Sequence, residues 1–103
     1  MTMMELENYG ELTAMHYELQ QSLANGGGVE ERRKLKEVNR KLGRISSFIL
    51  GCNDPLIKEL LILRFTRFLS WEEIARRIGG YNSAGSCRML VIRYINRENK
   101  KKF

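Results

Sequence analysis

The 103-residue chain predicts an all-α fold, an N-terminal antiparallel helical hairpin followed by a three-helix bundle. Three observations lead there. Apolar residues recur at steps of three and four along most of the chain, with few β-branched alternations. Pro55 is the only proline. Glycine-rich punctuation at residues 25–28, 51–53 and 79–80 cuts the chain into helix-sized lengths.

The first segment runs from about Met3 to Leu23. Leu12, Met15, Leu19 and Leu23 repeat at helical spacing, with Leu6 and Tyr9 nearby. Asn25-Gly26-Gly27-Gly28 ends it, because glycine carries a backbone entropy cost in a helix and readily turns. The second segment, Val29 to Leu50, carries Leu35, Val38, Leu42, Ile45 and Ile49 as a heptad-like seam that Gly43 weakens slightly. Two such helices joined by a tight turn form a hairpin over residues 1–50. Its flanking ion pairs are worth only roughly 0.2–1 kcal/mol each, so the apolar seam supplies most of its stability. Two roles stay open for it: half of one shared core, or an arm through which the chain forms a homodimer.

Gly51-Cys52-Asn53 breaks the second helix, and Asp54-Pro55 starts the third with an N-cap and a proline at the first helical position. Leu56, Leu60, Leu61, Leu63 and Phe65 make this segment apolar, and it ends between Thr66 and Leu69. Ser70 and Glu73 form a capping box for a fourth helix, whose buried face is Ile74, Ala75 and Ile78 and whose stop is Gly79-Gly80. Asn82 or Ser83 caps the fifth helix, from Ala84 to about Asn96, with Cys87, Leu90, Val91 and Tyr94 on one face. Residues 98–103 form a basic, frayed tail that includes Lys100, Lys101 and Lys102.

The formal net charge is +6, from 18 Lys+Arg against 12 Asp+Glu, and it is unevenly spread. Residues 1–29 carry four glutamates and no Lys or Arg. Residues 30–50 carry seven basic side chains against three acidic, and residues 51–103 carry eleven against five. Such a basic C-terminal half suits a polyanionic partner. Cys52, Cys87 and His16 show no metal-ligand spacing, so no metal or other cofactor is expected. Two cysteines outside any motif fit reduced thiols, which suits a cytoplasm. The acidic stretch Met1 to Asn8 has no apolar run behind it, so neither a signal peptide nor a membrane span is expected. No nucleophile–base order, carboxylate pair or phosphate loop stands out, and Gly26-Gly27-Gly28 lacks the Lys-Ser/Thr of a P-loop. The chain is not expected to be an enzyme.

What remains is an arrangement within residues 54–97. A short helix, a glycine turn and a second helix with basic residues on its free face define a helix-turn-helix, a DNA-binding unit. Ala75 is small where two helices must approach, Gly79 allows the turn, and Cys87 and Leu90 face inward. The start of the second helix offers free amides and a positive dipole end to phosphate.

The order Leu63-Arg64-Phe65, Leu69 to Gly79 and Ser83 to Ile95 resembles region four of bacterial sigma factors, and more so the small phage-encoded, ArpU-type transcriptional regulators. This resemblance implies that the chain is a phage or mobile-element transcription regulator binding double-stranded DNA, with RNA polymerase as a second partner. It implies that Ser83, Ala84, Ser86, Arg88 and Met89 face the major groove, with Arg88 on a base edge. Arg93, Arg76 and Arg77 would contact the DNA backbone. The chain departs from the family in having Ala84 and Gly85 where charged or amide side chains are usual, and in a turn about two residues longer. It carries no equivalent of region two, so it is not expected to open a promoter. Two other readings stay open: a protein-interaction module that grips RNA polymerase or a host defence complex, and a small DNA-packaging component. Plainer roles are also open for single residues. Arg88 could clamp a phosphate or lie solvated, Trp71 is expected to pack, Tyr81 is expected to pack in the turn although an exposed ring there could touch a sugar or a base, and His16 is expected on the surface or in the seam. Cys87 reads as a small buried hydrophobe, and Cys52 as a loop thiol open to solvent.

Overall fold

A computed structural model describes residues 1–101. The described residues form six α-helices and one π-helical turn with no strand, so the chain is all-α. The order is α1 (Met3–Glu7), α2 (Tyr9–Ala24), α3 (Val29–Leu50), α4 (Pro55–Leu61), the π-turn (Ile62–Thr66), α5 (Trp71–Ile78) and α6 (Ala84–Lys100).

The first expected segment is two helices. Thr2 caps α1 by accepting from the Glu5 amide at 3.1 Å, and the chain breaks at Asn8 before α2 begins. The break lets α1 turn Leu6 fully inward. Helices α2 and α3 pack along each other and run antiparallel. Glu5, just ahead of α2, meets Arg44 near the end of α3 at 3.4 Å, while residues 25–28 join the opposite ends.

Asp54 caps α4 by accepting from the Leu56 and Ile57 amides at 2.9 and 3.1 Å. The helix then widens. The Arg67 amide donates to the Ile62 carbonyl and the Thr66 hydroxyl donates to the same oxygen at 2.6 Å, so this turn closes over five residues instead of four. The wider turn lets Leu60, Leu61, Leu63 and Phe65 all be buried, although they are spread too widely for one α-helical face. Phe68 follows at φ 60°, an uncommon conformation for an aromatic residue, with its ring lying against Gly10 of α2.

One cluster of buried side chains runs through both halves of the chain. It joins Leu6, Leu12, Val38, Ile45 and Ile49 to residues of α4, the π-turn, α5 and α6. Phe48 and Tyr94 meet there with ring centroids 5.5 Å apart. Cys52, expected open to solvent, is buried in this core, where its thiol donates to the Asp54 carbonyl. A short link between two packed helices has no room to hold it outside. Beyond the core the hairpin projects: from residue 13 to residue 37 no side chain is fully buried. The molecule is accordingly elongated, 53 × 34 × 19 Å, with a radius of gyration of 16.1 Å against about 13 Å for a compact chain of this size. No helix among the described residues is long and apolar enough to cross a membrane.

Candidate nucleic-acid interface

The candidate interface comprises α5, the turn after it, and α6. Ser70 accepts from the Glu73 amide at 3.1 Å, and the Glu73 carboxylate accepts from the Ser70 amide at 3.3 Å. This reciprocal cap fixes where α5 starts, as the S-x-x-E spacing requires. The Ser70 amide also holds the Glu73 carboxyl below the usual carboxylate range. Arg64 leans across the junction. Its guanidinium donates to the Leu69 carbonyl at 3.0 Å and lies 5.2 Å from the Trp71 ring centre. Arg64 and Trp71 thus brace the entry to α5, and Trp71 is half-buried as packing requires.

Helices α5 and α6 pack against each other through Ile74, which is fully buried, Cys87 and Val91, with Ala75, Ile78 and Leu90 alongside. Burial pushes the Cys87 thiol up, so it behaves as an apolar side chain. The turn between them is made by Gly79 and Gly80, at φ 74° and 68°. Asn82 donates from its side chain to the Gly79 carbonyl at 3.2 Å and locks the turn. Ser83 is the cap of α6: its hydroxyl accepts from the Ser86 amide at 3.1 Å, and the Ser86 hydroxyl accepts from the Ser83 amide at 2.8 Å. Helix α6 runs to Lys100, four residues past the expected end, and its added turn is tied to the chain start, where Asn99 accepts from the Met1 ammonium at 3.1 Å and donates to the Met1 carbonyl at 2.8 Å. Lys102 and Phe103 of the expected basic tail lie outside the described residues.

Arg76, Arg77, Ser83, Ser86, Arg88, Met89 and Arg93 are all exposed, and Ala84 is half-buried. Arg76 and Arg77 occupy the last turn of α5, where cations suit the helix dipole. Arg88 and Arg93 lie on the outer face of α6. The ion pairs among the described residues are Glu37–Arg40, Glu5–Arg44 and Glu98–Lys101, so none engages these four arginines. Nor does any of the four make a side-chain hydrogen bond among the described residues. The first turn of α6 has no acidic residue. Its Ala84 and Gly85 carry almost no side chain, and a Cβ on Gly85 would meet only the Ser83 hydroxyl, at 3.9 Å. Packing within the chain therefore does not require glycine there.

One residue stands apart from expectation. Tyr81, expected to pack in the turn, is fully exposed, at 107% of its reference surface. Two consecutive left-handed residues swing the backbone outward just before it, and no side chain lies close enough to receive the ring. The adjoining Gly79-Gly80 pair is the sequence signal that could have shown this, since positive φ at both positions reverses the chain beyond the helix end.

No protein-family model, curated protein or solved structure matches the chain.

Proposed function

We propose that the chain is a transcription regulator of phage or mobile-element type that docks on duplex DNA through α5, the glycine turn and α6. The observation that carries this reading is the set of four exposed arginines, Arg76, Arg77, Arg88 and Arg93, on two helices whose start points are fixed by reciprocal caps. Unpaired guanidinium groups on a rigid frame are what phosphate recognition needs, since their charge is not spent inside the chain. The bare first turn of α6 supports the same reading. Small residues there let a sugar–phosphate backbone approach the free helix-start amides. Arg88 would read a base edge, with Ser83, Ala84, Ser86 and Met89 around it, while Arg76, Arg77 and Arg93 hold the backbone. The hairpin would serve as a homodimer arm. The likeness to sigma region four supports this reading through the residue order of α5 and α6.

The test is fluorescence anisotropy with labelled DNA of random sequence. Duplex should bind at low salt and more tightly than the matching single strand. No duplex binding at low salt would sink the reading.

Tyr81 at 107% and Met89 at 41% exposure favour a second reading. Together with Ala84 and Gly85 they make the α6 tip more apolar than groove readout asks, which suits a protein partner such as RNA polymerase or a host defence complex. A pull-down from nuclease-treated bacterial lysate that retains a partner would support this second reading.

A further inference from the structure

The projecting half of the hairpin is under-packed. Its seam residues Leu19, Leu23 and Leu35 are only half-buried, and Met15, Tyr17 and Val29 are 41%, 64% and 67% exposed. Two helices extending about 20 Å beyond a core thus leave much of their apolar surface open to water. Where the arm leaves the core, between residues 5–15 and residues 34–45, lies a groove of about 560 Å³. Its floor is Leu12, Met15, Val38 and Ile45. Its acidic side carries Glu11 of α2 and Glu5 of α1, and its α3 side is basic, with Lys34, Lys41 and Arg44, of which Arg44 pairs with Glu5 within the chain at 3.4 Å. Glu37, the acid on the α3 side, is paired with Arg40 at 2.6 Å.

We propose that this groove is closed by the same groove of a second copy, about a two-fold axis parallel to the long axis of the hairpin. The charge pattern selects that axis. Rotation about it lays the acidic α2 of one copy over the basic α3 of the other, so acidic and basic helices alternate around a four-helix bundle. A two-fold axis lying across the hairpin would stack α2 on α2 and α3 on α3, which sets like charges face to face. The whole face of the hairpin, the groove and the arm beyond it, is about two helix diameters wide and 25–30 Å long, so it covers roughly 500–600 Å² on each copy. That is at the low end for a specific interface, so the dimer is reversible and weakens with salt. Both hairpin tips then lie at one end of the bundle and both α5–α6 units at the other. On the DNA reading above, this geometry presents two units to one duplex.

The test is sedimentation of the full chain across the micromolar range. The wild type should pass from monomer to dimer. Met15→Glu places a charge on the groove floor and should weaken the dimer by about tenfold or more. Circular dichroism checks that its helix content is unchanged. Glu11→Lys should weaken association, and adding Lys41→Glu should restore it. Spin labels on Gln21→Cys, with Cys52 and Cys87 shielded by burial, should lie within about two interhelical spacings of each other, roughly 20 Å. A monomer at every concentration, a dimer indifferent to Met15→Glu, or labels at opposite ends of the assembly would each overturn the proposal. A monomer that binds DNA overturns this inference and leaves the DNA reading standing. A dimer that ignores DNA does the reverse.

Discussion

Alanine at Gly79 and alanine at Gly43 are the same chemical change, and the structure gives them opposite signs. At neither position would the added Cβ meet an atom within 4 Å, so steric clash drops out of both. What differs is the backbone. Gly79 sits at φ 74°, ψ −162°, a region that only glycine occupies readily. Holding another residue there costs of order 1–3 kcal/mol. Alanine also restricts the unfolded chain, which offsets about 0.4–1 kcal/mol of that cost. The net expectation for Gly79→Ala is a loss centred on about 1.3 kcal/mol. Gly43 lies inside α3, where alanine gains about 0.5–1 kcal/mol over glycine. The two variants should therefore bracket the wild type, with Tm moving by roughly 4–8 °C per kcal/mol in opposite directions. Urea unfolding followed by circular dichroism, at one fixed chain concentration so that association is constant, reads both. A Gly79→Ala variant as stable as wild type, or two variants that shift the same way, would refute this account of the turn.

Further outcomes follow from the same geometry. Gly85→Ala should leave the fold as stable or slightly more so, by up to about 1 kcal/mol, because nothing crowds a Cβ there. The same change should weaken duplex binding in anisotropy, because the close approach is to the partner. Tyr81→Ala should change stability by less than about 0.5 kcal/mol, as its ring touches little of the chain. On the protein-partner reading it should weaken capture of that partner, while duplex affinity and its salt slope stay unchanged, since it carries no charge. The Glu73 carboxyl is held below its ordinary value of 4.5 by the Ser70 amide. Its contribution is therefore complete above the ordinary value and lost as pH falls through the folded one. An acid titration of stability should show a smaller acid-side loss in Glu73→Gln than in wild type.

How far the residues alone disclose the molecule depends on how local the cause is. The start of α5 was legible because Ser70 and Glu73 satisfy each other's backbone within four residues. Asp54-Pro55 and Gly79-Gly80 were legible for the same reason. The break at Asn8 was not, because Leu6 and Leu12 suit one continuous helix and only the distant core turns Leu6 inward. The π-turn was hidden likewise. Its driver is the joint burial of Leu60, Leu61, Leu63 and Phe65 by other elements, and no residue type marks it. Cys52 and Tyr81 show the same divide from opposite sides. Each sits in a link whose composition reads as turn, yet one is enclosed by neighbouring helices and the other is swung free. At the candidate interface the arginines were legible as charges on an outer face. Their lack of partners was not, because it depends on which acids the fold leaves nearby. Arg64, by contrast, is engaged by Leu69 and Trp71.

The central claim is that Arg76, Arg77, Arg88 and Arg93 form one polyanion-binding face. Affinity for random duplex DNA, measured as a function of salt for wild type and for the variant with all four replaced by glutamine, tests it most directly. Each phosphate neutralised contributes about −0.9 to the slope of log affinity against log salt, so the variant's slope should be shallower by about 3 to 4. Equal slopes in the two proteins, or no wild-type binding at the lowest salt, would contradict it.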